Sequence, residues 1–313
     1  MTNLFFIGNG FDLSHCLKTS YQDFREYLLS NHPDIKMDEL IIPEGRMLPD
    51  GGIHYDEDKV LSMLFYLINQ AENDEAEWKD IEASLGRLDF SEVYDGLDDI
   101  VDKDGDRDHW KIASRNEDIA NDLIVPTAAI QRYFSEWIDS INISSAEPKK
   151  DFQSLIGDGD QFLTFNYTDT LEEVYGIDES NICHIHGRQG AEIYFGHGET
   201  EDYTEIYMQQ HIGSENGLSH IDRQLRKETE KALETNCDFF YTLEELNINK
   251  IYSYGFSFSM VDKIYLEEIC SLINTEEVIW YFNDYDLSSV EKYKELLNSC
   301  GFKGSFDTFH IGK

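Results

Sequence analysis

Short apolar runs that stop at Gly, Asn or His punctuate this chain: residues 4–7 end at Gly8, 162–165 at Asn166, 182–185 at His186 and 251–254 at Gly255. Runs of this length read as buried strands that deliver polar groups to the carboxyl edge of a parallel sheet, the edge where open α/β folds bind ligands. Residues 278–282 read as a further strand, 193–195 as another, and a last helix and a terminal strand or extension close the chain. Helical periodicity appears in between. Ser20, with Asp23 three residues on, caps a helix whose apolar face is Tyr21, Phe24, Tyr27 and Leu28. The same 3.6-residue spacing returns at Val60, Leu61, Leu64, Phe65 and Ile68, at Ile130, Tyr133, Phe134, Trp137, Ile138 and Ile141, and at Leu218, Ile221 and Leu225. Over 33–55 the pattern dissolves among Pro, Gly and charges. Strand and helix in alternation predict an α/β fold, a Rossmann-like parallel sheet with right-handed crossovers. The expected organisation is one domain, 1–313, with a large helical insertion at 40–150.

Composition narrows the function classes. Lys plus Arg number 25 against 63 Asp plus Glu, a net charge of −38, so the surface repels nucleic-acid phosphates and direct DNA or RNA binding is disfavoured. A small anionic ligand is still admissible, because backbone N–H groups at a turn or helix start act locally. No apolar stretch approaches a membrane span, and the opening apolar run has no basic segment before it, so a cytoplasmic protein is expected. Cys16, Cys183, Cys237, Cys270 and Cys300 contain no CxxC pair, which argues for free thiols and against a structural zinc. Residues 95–108 are rich in Asp, but Arg107 and Ala113 stand where an EF-hand loop needs Gly and Glu, so this segment reads as a solvated acidic loop.

The residues that end the runs carry the candidate chemistry. Gly8, Asn9 and Gly10 form a turn able to expose N–H groups to a phosphate, or simply a turn that ends a strand; Asp12 can bond to that turn or to a ribose hydroxyl. Asn166 sits between a strand and a helix, as a plain cap or as a site amide. His186, with His184 two residues earlier and His197 beyond, is open to three readings: general base, metal ligand or structural histidine. Gly255 and Ser257 belong to a G-F-S-F-S segment, one glycine short of a nucleophile elbow, with Asp284 and His310 following in the Ser, Asp, His order of hydrolases.

Taken in order, GNGFD, FNYTDTLE, HIHG and YGFS resemble the sirtuin-like superfamily of NAD-binding domains, and the first two, with WKDIEASL, resemble the bacteriophage abortive-infection branch AbiH. That resemblance implies an NAD-consuming enzyme, an NAD glycohydrolase that cleaves the nicotinamide–ribose bond. Asn166 would hold the ribose and the attacking water, and His186 would be the base. Gly8, Asn9, Gly10, Asp12, Gly255 and Ser257 would contact the cofactor. Thr168 departs from the pattern, which places Asp there, and raises the alternative of a nucleotide-sensing or interaction module without turnover. The implied ligand is NAD as substrate or a related small nucleotide, with no metal. A phage-derived trigger or partner protein is expected, and an oligomer is open. Asp80 and Glu82 match the branch but gain no role from it beyond a helix start.

Overall fold

The computed structural model describes residues 2–72 and 77–312. They fall into two compact units, one made of Met1–Ser20, Trp137–Tyr194 and Glu228–Lys313, the other of Tyr21–Glu136 and Phe195–Lys227.

The first unit is built on six strands, numbered in chain order: β1 (Thr2–Ile7), β2 (Gln161–Thr164), β3 (Ile182–His184), β4 (Ile248–Tyr254), β5 (Ile279–Asn283) and β6 (Ser305–Phe309). They lie in the order β3-β2-β1-β4-β5-β6, and every neighbouring pair is parallel. The chain winds from β1 to one side and then returns to the other, so the strand order reverses between β1 and β4. Both faces of the central strands are buried, which is why their sequences are continuous apolar runs without alternation. On one face Phe162, Phe5, Tyr252 and Tyr281 are register partners across four strands, and their rings stack at centroid distances of 4.8, 5.1 and 4.8 Å. Each such pair contributes on the order of 1 kcal/mol beyond the area it buries. On the other face Leu4 and Phe6 join Leu163, Ile251 and Trp280 under the helix Lys263–Leu272.

The strand expected at 193–195 is absent. Ile193 makes one bridge to Gly187, whose φ of +83° turns the chain, and Gly190 and Gly196 also hold positive φ. Three left-handed glycines in ten residues leave no straight segment to pair.

The second unit is helical, with the helices Tyr21–Asn31, Glu57–Ala71, Ile81–Leu85 and Glu215–Gln224 and the part of His109–Ser140 up to residue 136. Its core contains Phe24, Phe65, Trp78, Phe134 and Phe195, with Phe134 and Phe195 stacked. The WKDIEASL segment finds structural work here. Trp78 Nε1 donates to Asn69 Oδ1 at 3.0 Å, Asp80 Oδ1 caps its helix by accepting from the Ala83 N–H at 3.1 Å, and Glu82 meets the buried Lys227 at 2.9 Å. In the acidic loop, Asp102 Oδ1 accepts from the N–H groups of Asp104 and Asp106 and ties down a turn. No helix among the described residues is long and apolar enough to cross a membrane.

Candidate functional site

All the expected site residues lie in the first unit, at the carboxyl ends of β1, β2, β3 and β4. At the reversal between β1 and β4, the turn expected at Gly8, Asn9 and Gly10 is the start of a helix, Asn9–Ser14 with Gly8 as its N-cap, and it meets the loop after β4. The Gly8 N–H donates to Tyr254 O at 3.1 Å, the Gly10 N–H to Gly255 O at 3.0 Å, and the Phe11 N–H to Gly8 O at 2.9 Å. A Cβ on Gly8 or Gly10 would lie 2.5–2.6 Å from backbone atoms of residues 255–256, and Gly255 itself has φ +66°. Close approach of two backbones therefore explains these three glycines. Two donors expected to face a phosphate are instead committed to carbonyls. Asn9 is exposed, and its side chain donates to Thr19 O at 2.8 Å.

Asn166 is not a helix cap: the following helix is Thr170–Tyr175, four residues on, with Asp169 in the cap position. Its side chain turns instead toward Asp12. Asp12 Oδ2 accepts from Thr168 Oγ1 at 2.6 Å, and Thr168 Oγ1 also bonds Thr170 Oγ1 at 2.9 Å. Asp12 is 1 % exposed and Asn166 is 5 % exposed. Burial pushes the Asp12 carboxyl up to about 6, against the opposing pull of Thr168, Thr170, Asn166 and His184. Asp12 Oδ1 and Asn166 Nδ2 are both buried and neither makes a hydrogen bond of ordinary geometry, although Asn166 lies close enough to act on the Asp12 carboxyl. Thr168, the departure from the family pattern, is thus the residue that holds Asp12 in place.

The three histidines part company. In the strand reading His184 and His186 project to one side, but β3 ends at His184, and the Gly187 N–H to His184 O bond of 3.0 Å folds residues 185–186 into a turn. His184 faces acceptors at both ring nitrogens, Asn166 O at 3.3 Å and Glu172 Oε1 at 2.8 Å. His186, 3 % exposed, has Nε2 3.3 Å from Asp262 Oδ1 and is packed among the rings of Phe165, Tyr167 and Tyr265. His197 belongs to the helical unit, fully buried; its Nε2 donates to Asp222 O at 2.9 Å, and burial lowers its pKa. A three-histidine metal site is therefore not formed.

Asp169, Glu172 and His184 do offer ligand-type atoms within 4.8 Å of one another. Burial opposes charge on Glu172, yet the bond and charge of His184, a backbone N–H and Arg188 together outweigh it and hold the carboxyl below its ordinary value. Asp169 is raised by burial and by Glu172 beside it. The Arg188 guanidinium stands 3.7 Å from Glu172 and 3.8 Å from Asp169, so the cluster already has a counter-charge.

Gly255 lies in the crevice, and Ser257 is exposed after it. Asp284 and His310 bond to each other, but among the described residues Ser257 makes no hydrogen bond to either, and the Ser-Asp-His arrangement is not assembled. Sequence reasoning missed Asp262, Glu172, Thr170 and Arg188. Asp262 had a signal, standing immediately before the apolar period of the helix Lys263–Leu272.

Comparison with known proteins adds one match. The pattern of the family described as bacteriophage abortive infection AbiH matches residues 4–284. Searches of the curated proteins and of the solved structures each found no match.

Proposed function

We propose that this chain, which belongs to the bacteriophage abortive infection AbiH family and is thereby an anti-phage defence protein, acts by hydrolysing the nicotinamide–ribose bond of NAD or a closely related nucleotide. The observation that carries the reading is the Asp12–Asn166 pair. Two polar atoms, an acceptor and a donor, are buried without partners at the carboxyl ends of adjacent parallel strands, beside the point where strand order reverses. Leaving such groups unsatisfied costs about 1–3 kcal/mol each, which folding alone does not repay. A ribose hydroxyl or a water both donates and accepts, and so satisfies both.

The chemistry asks little of the protein beyond position and charge. The nicotinamide leaves from a cationic ring, so the site must hold the ribose, stabilise an oxocarbenium-like centre at C1′ and place a water against it. Asn166 is the group for the water and the ribose. His186, the expected base, is held in one orientation by Asp262, on the side to which Phe165 and Tyr167 turn, whereas Asn166 turns to Asp12. Gly8, Gly10 and Gly255 would serve by letting two backbones meet and so fixing Asp12 at the edge, with Asn9, Asp12 and Ser257 at the ligand's margin.

The near-complete burial of Asp12 and Asn166 favours a second reading, a nucleotide-sensing module that binds without turnover. Under the enzymatic reading the same burial means a closed, quiet state that opens on infection. Incubating the purified full chain with NAD, with and without extract of phage-infected cells, separates the two. Free nicotinamide from wild type and none from Asn166→Ala supports the enzyme; binding of NAD or ADP-ribose without nicotinamide release supports the sensor.

A further inference from the structure

Two polar clusters compete for the proton that hydrolysis releases, and the chain path tells them apart. Phe165 and Tyr167 flank Asn166, and both rings pack on His186 at centroid distances of 5.4 and 6.3 Å. Between them, past the end of β2 at Thr164, the Asn166 side chain meets Asp12, whose Oδ2 accepts from Thr168 Oγ1. The His186 ring has its own carboxylate, with Nε2 3.3 Å from Asp262 Oδ1.

Asp12 has the geometry of a proton acceptor. Its Oδ2 is fixed by the 2.6 Å bond from Thr168, so the carboxyl cannot rotate freely, and Oδ1 is left without a partner beside the unpartnered Nδ2 of Asn166. Its placement is set by the glycine turn: the bonds from Gly8, Gly10 and Phe11 fix the backbone just before it. Resting on the reading that a nucleotide is hydrolysed at this edge, we propose that Asp12, in place of His186, is the general base, and that Asn166 and Asp12 together hold the attacking water.

The step balances without a further reactant. A water held by Asn166 Nδ2 and Asp12 Oδ1 forms its O–C1′ bond as the C1′–N bond to nicotinamide breaks. The bonding pair leaves with nicotinamide, which departs neutral. The water's proton passes to Asp12 Oδ1 and then to solvent, and the product is ADP-ribose. A carboxyl displaced upward by burial is suited to this, since a base near neutrality combines availability with proton affinity. The charged or titratable group acting on it is His184, at the end of β3; Thr168, Thr170 and Asn166 are neutral.

The test is the pH dependence of nicotinamide release by the full chain, with infected-cell extract as activator, for wild type, Asp12→Asn, Asp12→Glu and His186→Gln. Thermal melts verify folding, and ADP-ribose titration reports binding. The proposal expects a wild-type rate that rises through about pH 6. It expects Asp12→Asn to lose roughly 100-fold or more in kcat while ADP-ribose binding persists, Asp12→Glu to recover part of the rate, and His186→Gln to keep the rise near pH 6. If wild type cleaves NAD and Asp12→Asn keeps both its rate and the pH limb, Asp12 is not the base while the hydrolase reading stands. Loss of the limb in His186→Gln alone returns the role to His186. If no chain releases nicotinamide under any condition, both the proposal and the reading beneath it fall.

Discussion

The Gly10 N–H donates to the carbonyl of Gly255 at 3.0 Å, and a Cβ on Gly10 would lie 2.6 Å from the Gly255 Cα. This contact closes the crevice between β1 and β4 and fixes the backbone that carries Asp12. The residue at position 10 is therefore set by packing as much as by any ligand. Gly10→Ala is expected to cost about 1–3 kcal/mol through overpacking, read as a lower urea midpoint. Gly10→Val is expected to be worse and to weaken nucleotide binding in whatever fraction folds. A Gly10→Ala chain as stable as wild type would show that the two backbones are not in contact.

Asp12 makes stability depend on pH in a defined direction. Its folded pKa of about 6 lies above the ordinary 3.8, so the folded chain holds this proton more tightly than the unfolded one. The contribution is fully present below about pH 4 and is lost as pH rises through 6, a fall on the order of 3 kcal/mol. Asp12→Asn removes that fall. Denaturant titrations at pH 4.5 and 7.5 should show the gap between variant and wild type opening toward neutrality in the variant's favour; a gap that stays constant would place Asp12 in water.

In the helical unit, Lys227 and Glu82 form an ion pair that is almost entirely enclosed. Removing one partner strands the other, so Glu82→Ala is expected to cost about 3–5 kcal/mol, and the double variant Glu82→Leu/Lys227→Met less than the single one. Urea midpoints for the three chains decide the point. Equal stability of Glu82→Ala and wild type would mean that the pair is solvated.

Nicotinamide release is expected to persist in EDTA within about twofold, because Arg188 already supplies positive charge to Asp169 and Glu172. Loss of activity in chelator, restored by manganese or zinc, would instead make Asp169, Glu172 and His184 metal ligands.

Much of the sheet was legible because parallel strands buried on both faces lose their polar alternation. The runs at 4–7, 162–165 and 278–282 sit within a residue or two of β1, β2 and β5, and the run at 251–254 is the last four residues of β4. The run at 193–195 has the same look but lies among left-handed glycines, so it forms a single bridge at Ile193 and no strand. Asn166 was legible as a polar residue after a strand, and Asp12 as one able to bond to the glycine turn or to a ribose hydroxyl. Their pairing was not, because it depends on which way residues 165–167 turn once packed against His186. Residues 40–136 of the insertion expected at 40–150 fall in a unit made of residues 21–136 and 195–227, and a local periodicity cannot announce that the second stretch joins the first.

The most direct test of the central claim is the NAD content of phage-infected cells expressing the full chain, followed by mass spectrometry beside cells expressing Asn166→Ala. The account expects NAD to collapse after infection, with nicotinamide and ADP-ribose rising together, only where Asn166 is intact. Protection against phage with NAD unchanged, or an equal NAD loss in the Asn166→Ala cells, would contradict it.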